Sequence, residues 1–390
     1  MSDFRDEVPG YRAIRVGALG SAAQAADDQA WLARKSYPSL IFGGGPVFGT
    51  CHELEHGGWE LDYLYCLSPQ EAREAMASDF RELAHQQADG GAEYAECMRA
   101  AELLGREALD ELTVLGTRYR VIRAEQFIRS GPQGPEPPRP SDPDPGEPGM
   151  SYLSADPAEG FVIDPATPTG MSEGILKAEL LVAGRPADSD PEQVRDLARA
   201  AFTHPGGVLL PAGFTIGTVK RGTWGSATPH VWATQQAARD ELVCWLRITL
   251  PAQLDLPDDK RAVYSAAADL AERDRANEVT VARHQFRVVR VERLVRIGPE
   301  GPEGPRPSDP RPEPPVMQLP PAPKDDEDPP RAPATDTRDR FDRHPRHLAL
   351  LTLNAYARLA RKQKTCSSLP AHWHHGRAMS KADLEPCTSG

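Results

Sequence analysis

No stretch of the sequence approaches the ~18–20 consecutive apolar residues that cross a bilayer as a helix, so a membrane span is excluded. Positive charge is in short supply: 45 lysines and arginines against 57 aspartates and glutamates leave a formal net charge of −12 over 390 residues. A chain this acidic does not coat nucleic acid nonspecifically. Cysteine is scarce, six in all with none in a CxxC pair. A disulfide framework is therefore not expected, and the thiols read as reduced groups of a cytoplasmic protein, with Cys97 and Cys244 as small core residues. Met1 to Val16 mixes charges (Asp3, Arg5, Asp6, Glu7) and lacks the basic-then-apolar order of a secretory signal. Gly43-Gly44-Gly45-Pro46 lacks the Lys-Ser/Thr of a P-loop, and its proline removes an N–H that such a loop would use. No nucleophile–base constellation or cofactor fingerprint stands out, so no cofactor is expected.

Proline and glycine are abundant, 39 and 32 residues, and much of the proline belongs to a repeat. Glu111 to Pro143 reads ELTVLGTRYRVIRAEQFIRSGPQGPEPPRPSDP, and Glu278 to Pro310 reads EVTVARHQFRVVRVERLVRIGPEGPEGPRPSDP; 19 of the 33 positions are identical at a shift of 167. Weaker matches lie outside it: Phe48-Gly49-Thr50 with Ile216-Gly217-Thr218, and Pro38 with Pro205. A unit of this size is a domain and not a solenoid repeat. Two such units are expected to pack as a pseudo-twofold pair, by the logic of an isologous dimer. The boundaries read as an N-terminal arm (1–20), unit one (21–145), a connector (146–187), unit two (188–312), an acidic Pro-rich linker (313–337), a basic amphipathic helix (338–364) and a disordered tail (365–390).

Within a unit the pattern is mixed. Ser21 to Arg34 and Asp190 to Phe202 favour helix, and each precedes a short apolar run (Leu40 to Phe42; Val208 to Leu210) that glycine and proline bring to a turn. Val47 to His56 and Trp59 to Leu67 read as a hairpin joined at Gly57-Gly58, with Phe214 to Arg221 and Pro229 to Ala233 as the second version. Ser68 before Pro69, and Thr234, are N-caps of further helices. Helices over Glu93 to Asp110 and Lys260 to Asn277 lead into long strands, Thr113 to Arg129 and Thr280 to Arg296. Helices and hairpins in this order give an α+β fold.

The segments after those strands, Gly131 to Pro148 and Pro299 to Pro330, are too rich in proline for helix or central strand and favour polyproline II. A spacer needs only a composition. A copied spelling, Gly-Pro-x-Gly-Pro-Glu-x-Pro-Arg-Pro-Ser-Asp-Pro, points instead to docking, on the protein's own aromatics or in the groove of a protein partner. The RVxRxE strand followed by GPxGPE and RPSDP (residues 139–143 and 306–310) resembles an uncharacterised family of actinobacterial proteins, a domain of unknown function. The resemblance covers most of residues 20–360 and implies no activity and no catalytic residues.

Three constellations are candidates for chemistry. His52-Glu53-Leu54-Glu55-His56 fits the zinc-protease pattern H-E-x-x-H, which requires both histidines on one helical face. The flanking glycines leave no room for a helix, and on a strand His52 and His56 stand roughly 13 Å apart, so an exposed polar hairpin is the simpler reading. Arg123, Glu125 and Arg129, with Arg290, Glu292 and Arg296, line one face of the twin strands. They would grip a phosphate or carboxylate if they converged on a cleft; the plainer expectation is a solvated strand face of weak ion pairs. Finally, Arg338 to Lys364 carries eight basic residues against two aspartates, with Leu348, Leu351, Ala355 and Leu359 at helical spacing. Its nearest acidic partner is the body of the same chain. Cys366, His372, His374, His375 and Cys387 beyond it match no familiar zinc spacing. The leading expectation is a non-catalytic interaction or scaffold protein, with an anion or small-molecule binder at the arginines as the alternative and a zinc hydrolase third. Neither membrane nor nucleic acid is an expected partner.

Overall fold

In the computed structural model, the residues described are 12, 14–86, 91–151, 154–184, 189–220, 222–310, 314, 315 and 317. Most of the expected linker, the whole basic stretch 338–364 and the tail 365–390 lie outside them, as does most of the N-terminal arm. Unit one runs α1 (Ser21–Ser36), β1 (Ser39–Phe42), β2 (Val47–Glu53), β3 (Trp59–Cys66), α2 (Pro69–Gln86), α3 (Ala92–Arg106), β4 (Glu111–Val114), β5 (Thr117–Gly131) and β6 (Gly134–Pro135). The connector supplies β7 (Val162–Ile163) and α4 (Met171–Val182). Unit two runs α5 (Pro191–Thr203), β8 (Gly206–Lys220), β9 (Thr223–Ser226), α6 (Gln235–Cys244), a π-turn (Trp245–Thr249), α7 (Leu250–Gln253), α8 (Asp258–Arg273), β10 (Glu278–Val281), β11 (His284–Gly298) and β12 (Gly301–Pro302). The fold is α+β, with the strands joined in one twelve-stranded sheet of central order β7-β3-β2-β5-β11-β8-β9.

Local chemistry sets the elements. Ser68 caps α2 through its Oγ, which accepts the Glu71 N–H at 3.2 Å, while the Glu71 carboxylate accepts the Leu67 N–H at 2.7 Å. Thr234 caps α6 in the same way, accepting the Ala237 N–H at 3.1 Å. The β2–β3 hairpin turns at Gly57 and Gly58, with φ of 89° and 88°, conformations that side chains disfavour. Under the sheet, Phe48 and Val121 pack against Met76, Phe80, Cys97 and Leu104 of α2 and α3. In unit two Ile216 and Phe286 pack against Leu242, Trp245, Tyr264 and Ala268.

Several expectations need correction. The long strands are each a hairpin: β4 returns into β5 through Leu115-Gly116, and β10 into β11 through Ala282-Arg283. The turns hide in the sequence because Leu115 (φ 50°) and Ala282 (φ 52°) sit at positive φ without the usual Asn or Gly. Pro211 does not end its strand. β8 continues through it because Val291 pairs with Gly213 and Arg293 with Leu210, so Pro211 lies in a bulge where its missing N–H costs no ladder bond. The partner of β8 is Thr223–Ser226, not Pro229 to Ala233, of which only Trp232 bridges to Phe214. The register also replaces one weak sequence match: Phe48 lies opposite Arg123 and Phe214 opposite Arg290, so Phe48 corresponds to Phe214 and Thr50 to Ile216. Cys97 is buried as expected, but Cys244 is exposed on α6. Cys51, Cys66, Cys97 and Cys244 are all unpaired thiols.

Candidate functional site

The six arginines and glutamates of the twin strands meet where the units join, and they are not solvated. β5 and β11 pair directly over only four residues, Ala124–Phe127 against Glu292–Val295. To either side the strands diverge, and the Pro-rich segments fill the gap. Glu136 donates its N–H to Arg129 O and accepts the Arg290 N–H, both at 2.9 Å; Glu303 donates to Arg296 O and accepts the Arg123 N–H, also at 2.9 Å. Each segment thus follows its own strand and bonds to the other unit's.

The side chains cross over in the same manner. Arg123 Nε donates to Asp309 at 2.9 Å, and Arg290 Nε to Asp142 at 2.9 Å. Arg306 reaches Glu125 at 2.8 Å, and Arg139 reaches Glu292 at 3.1 Å. Arg123 also pairs with Glu125, and Arg290 with Glu292. Arg129 and Arg296 turn to the connector, donating to Glu179 at 3.1 Å and to Leu181 O at 2.6 Å. Arg123, Arg129 and Arg296 are 2–3% exposed. Burial alone would pull Arg123 and Arg290 down, but Glu125 and Asp309 around the first, and Glu292 and Asp142 around the second, hold both above the ordinary arginine value. Burial lifts Glu292, yet Arg290, Arg139 and Arg129 outweigh it and keep the carboxyl below its usual range. The expected solvated ladder is instead a buried, internally paired network, because the proline segments cover that face.

These contacts explain the duplicated spelling. In Arg-Pro-Ser-Asp the aspartate accepts its own arginine's N–H, Arg139 to Asp142 at 2.7 Å and Arg306 to Asp309 at 2.6 Å, closing a turn that aims the carboxylate at the other unit. In Gly-Pro-x-Gly-Pro the second glycine has φ of 97° or 108° and lies under the other unit's indole. A Cβ at Gly134 would stand 2.2 Å from Trp224 Nε1, and one at Gly301 2.6 Å from Trp59 Nε1. The ordered proline segments dock on the chain's own tryptophans.

His52 and His56 part company. His52 is on β2, its Nδ1 2.8 Å from Asp62 Oδ1, whereas His56 lies in the turn after the strand. No helix forms there, so the H-E-x-x-H geometry is absent. Among the described residues no group of three or more His, Cys, Asp or Glu side chains is placed to hold a metal ion.

The Asp62 of that pair opens onto a cleft of about 380 Å³ between β3 and α2. Its floor is apolar, from Met76, Phe80 and Leu83, and its walls carry Glu60, Asp62, Asp79, Glu82 and Glu159. Among the described residues no lysine or arginine lines it. Asp62 accepts from Thr50 Oγ1 at 3.0 Å; burial raises its pKa against the opposing pull of His52 and Thr50. Asp79 is exposed at the mouth, yet desolvation by the cleft walls, joined by the charges of Asp62 and Glu82, pushes its carboxyl up to about 7. Carboxylates gathered above an apolar floor suit a ligand that brings positive charge and apolar surface together.

The match to known families now has a structure to sit on: the family model described as "Family of unknown function (DUF5954)" covers residues 20–312. The chain belongs to the DUF5954 family. No curated protein and no solved structure matches it. The matched span includes both units of this DUF5954 chain and the whole cleft, and it stops after the second RPSDP turn.

At the corresponding positions of unit two of the DUF5954 fold the residues differ. Counted from the equivalent caps Ser68 and Thr234, Asp79 corresponds to Trp245, and the shift of 167 sets Tyr119 against Phe286. Thr50 corresponds to Ile216 by register. Trp245, Phe286 and Ile216 are buried together, the first two rings 6.3 Å apart edge to face. Polar lining in unit one is thus matched by buried core in unit two. Matching the two units for identity misses this site; it stands out where they differ.

Proposed function

We propose that this is a non-catalytic interaction protein whose binding surface is the acidic cleft of unit one, taking a basic polypeptide segment with an apolar face. The cleft itself carries the reading: five carboxylates line it, with no lysine or arginine among the described residues, and the corresponding positions of unit two are filled by Trp245 and Phe286. A duplicated domain that keeps one copy filled and opens the other with charge retains the opening at a cost in core packing, which is the mark of a binding site. The acid–base groups elsewhere support binding over catalysis, because the conspicuous arginines and glutamates are engaged with each other at the seam. An anion site at Arg123, Arg129 and Arg290 would require their buried pairs to open, and Arg296 is turned to the Leu181 and His204 carbonyls. We further propose that the two units arose by duplication and pack about a pseudo-twofold axis through the Gln126–Arg293 pair. Their crossed contacts, matched one for one at a shift of 167, support this.

The test is a fluorescein-labelled Lys-Leu-Ala-Lys repeat peptide titrated into the full chain and followed by anisotropy. Binding that weakens at least tenfold in Asp79→Lys/Glu82→Lys, and that falls with added salt, is expected. Equal binding to wild type and variant would refute the cleft as the site.

A further inference from the structure

The proposed cleft takes a basic, partly apolar segment, and the same chain carries one. Resting on that reading, the geometry points to residues 338–364 of this chain as the occupant, docked within one molecule.

Three observations place it there. The first is charge: residues 338–364 carry eight Lys and Arg against two Asp, while the cleft walls present Glu60, Asp62, Asp79, Glu82 and Glu159 with no basic residue among them. The second is pattern. Leu348, Leu351, Ala355 and Leu359 recur at helical spacing, with Arg358, Arg361 and Lys362 between and beyond them. An apolar stripe flanked by cations suits a groove with the Met76, Phe80 and Leu83 floor and a carboxylate rim. The third is where the chain leaves the body. Met317, the last described residue, lies against α3, its side chain 3.5 Å from the point where a Cβ would stand on Gly105. α3 packs directly on α2, the helix that forms one wall of the cleft. From Met317 to Arg338 about 20 residues intervene, rich in proline. At ~3.1 Å per residue in polyproline II they reach up to about 60 Å, ample to return along the same helical layer. A tether of this length holds the segment at an effective concentration in the millimolar range, so even a weak contact is populated.

Carbodiimide joins a lysine to a carboxylate only where they touch, which makes the full chain its own reporter. Expected are cross-links from Lys362 and Lys364 to Glu60, Asp79, Glu82 or Glu159, within one chain when isotopically light and heavy proteins are mixed. They should fall at least tenfold in Arg358→Glu/Arg361→Glu, which leaves both lysines in place. Links to carboxylates elsewhere, links between chains, or none at all would overturn the inference. The labelled Lys-Leu-Ala-Lys peptide separates this failure from that of the cleft reading. If the segment occupies the cleft, the Arg358→Glu/Arg361→Glu chain binds the peptide at least tenfold more tightly than wild type. Equal binding to both chains overturns self-docking while the cleft stands; no binding to either removes both.

Discussion

At the scale of the residue, the arginine–aspartate pairs of the seam decide more than their number suggests. Arg123 is 2% exposed, and Asp309, from the far end of the other unit, sits 2.9 Å from its Nε. Two ions taken out of water contribute little net stability over an apolar pair of equal volume, but removing one partner leaves the other buried and uncompensated. Asp309→Asn should therefore cost about 3–5 kcal/mol, read as a fall in the urea midpoint at unchanged slope. Asp309→Leu, which also leaves the buried Arg306 N–H without its acceptor, should cost clearly more than Asp309→Asn, which keeps an amide oxygen there. Equal costs for the two variants would mean that the bond closing the turn adds nothing. Arg293 shows the opposite case: buried at 1% exposure, it meets carbonyls, Pro211 O at 2.7 Å among them. Burial, reinforced by the charge of Arg290, pulls it down to about 10.

At the scale of the element, what the sequence made legible was whatever depends on neighbours along the chain. Caps such as Ser68-Pro69 and Thr234 are read from a few adjacent residues, and the Gly57-Gly58 turn carries its reason in its composition. What stayed hidden depends on contacts remote in sequence. Leu115 and Ala282 accept positive φ because the paired strands fix the turn around them. α4, on which Arg129 and Arg296 converge, lay inside what read as a connector; its N-terminus is held by Asp27 of unit one, which accepts the Ser172 N–H at 3.0 Å. The seam residues share a strand face in the sequence pattern, but their burial was invisible because the proline segments that cover them belong to the other unit. The β5–β6 turn tests this. Gly134→Ala meets both a φ of 97° and the Trp224 indole, and should destabilise by about 2 kcal/mol or more. In a Trp224→Ala background only the backbone strain remains, about 1 kcal/mol. A cost unchanged in that background would mean the indole does not set the glycine requirement.

At the scale of the whole molecule, each unit is large enough to hold a core of its own, and the cores around α2–α3 and around α6–α8 are separate clusters. Size alone would allow the units to unfold one after the other, but a further buried cluster joins Val47, Leu61 and Ile122 of unit one to Val208, Leu210 and Val295 of unit two. The seam forbids it. Unfolding unit two withdraws Asp309 from Arg123, Arg306 from Glu125 and the Glu303 carbonyl from the Arg123 N–H; unfolding unit one withdraws Asp142, Arg139 and Glu136 from the matching positions. Either event strands buried charges and backbone donors in the half that remains, at several kcal/mol each. That exceeds what a domain of this size holds in reserve. Calorimetry of the full chain should therefore give a single transition whose calorimetric and van't Hoff enthalpies agree, and Asp309→Asn should lower it as one peak. Two resolved transitions, or a variant that moves only part of the heat absorption, would show that the crossed pairs do not couple the halves.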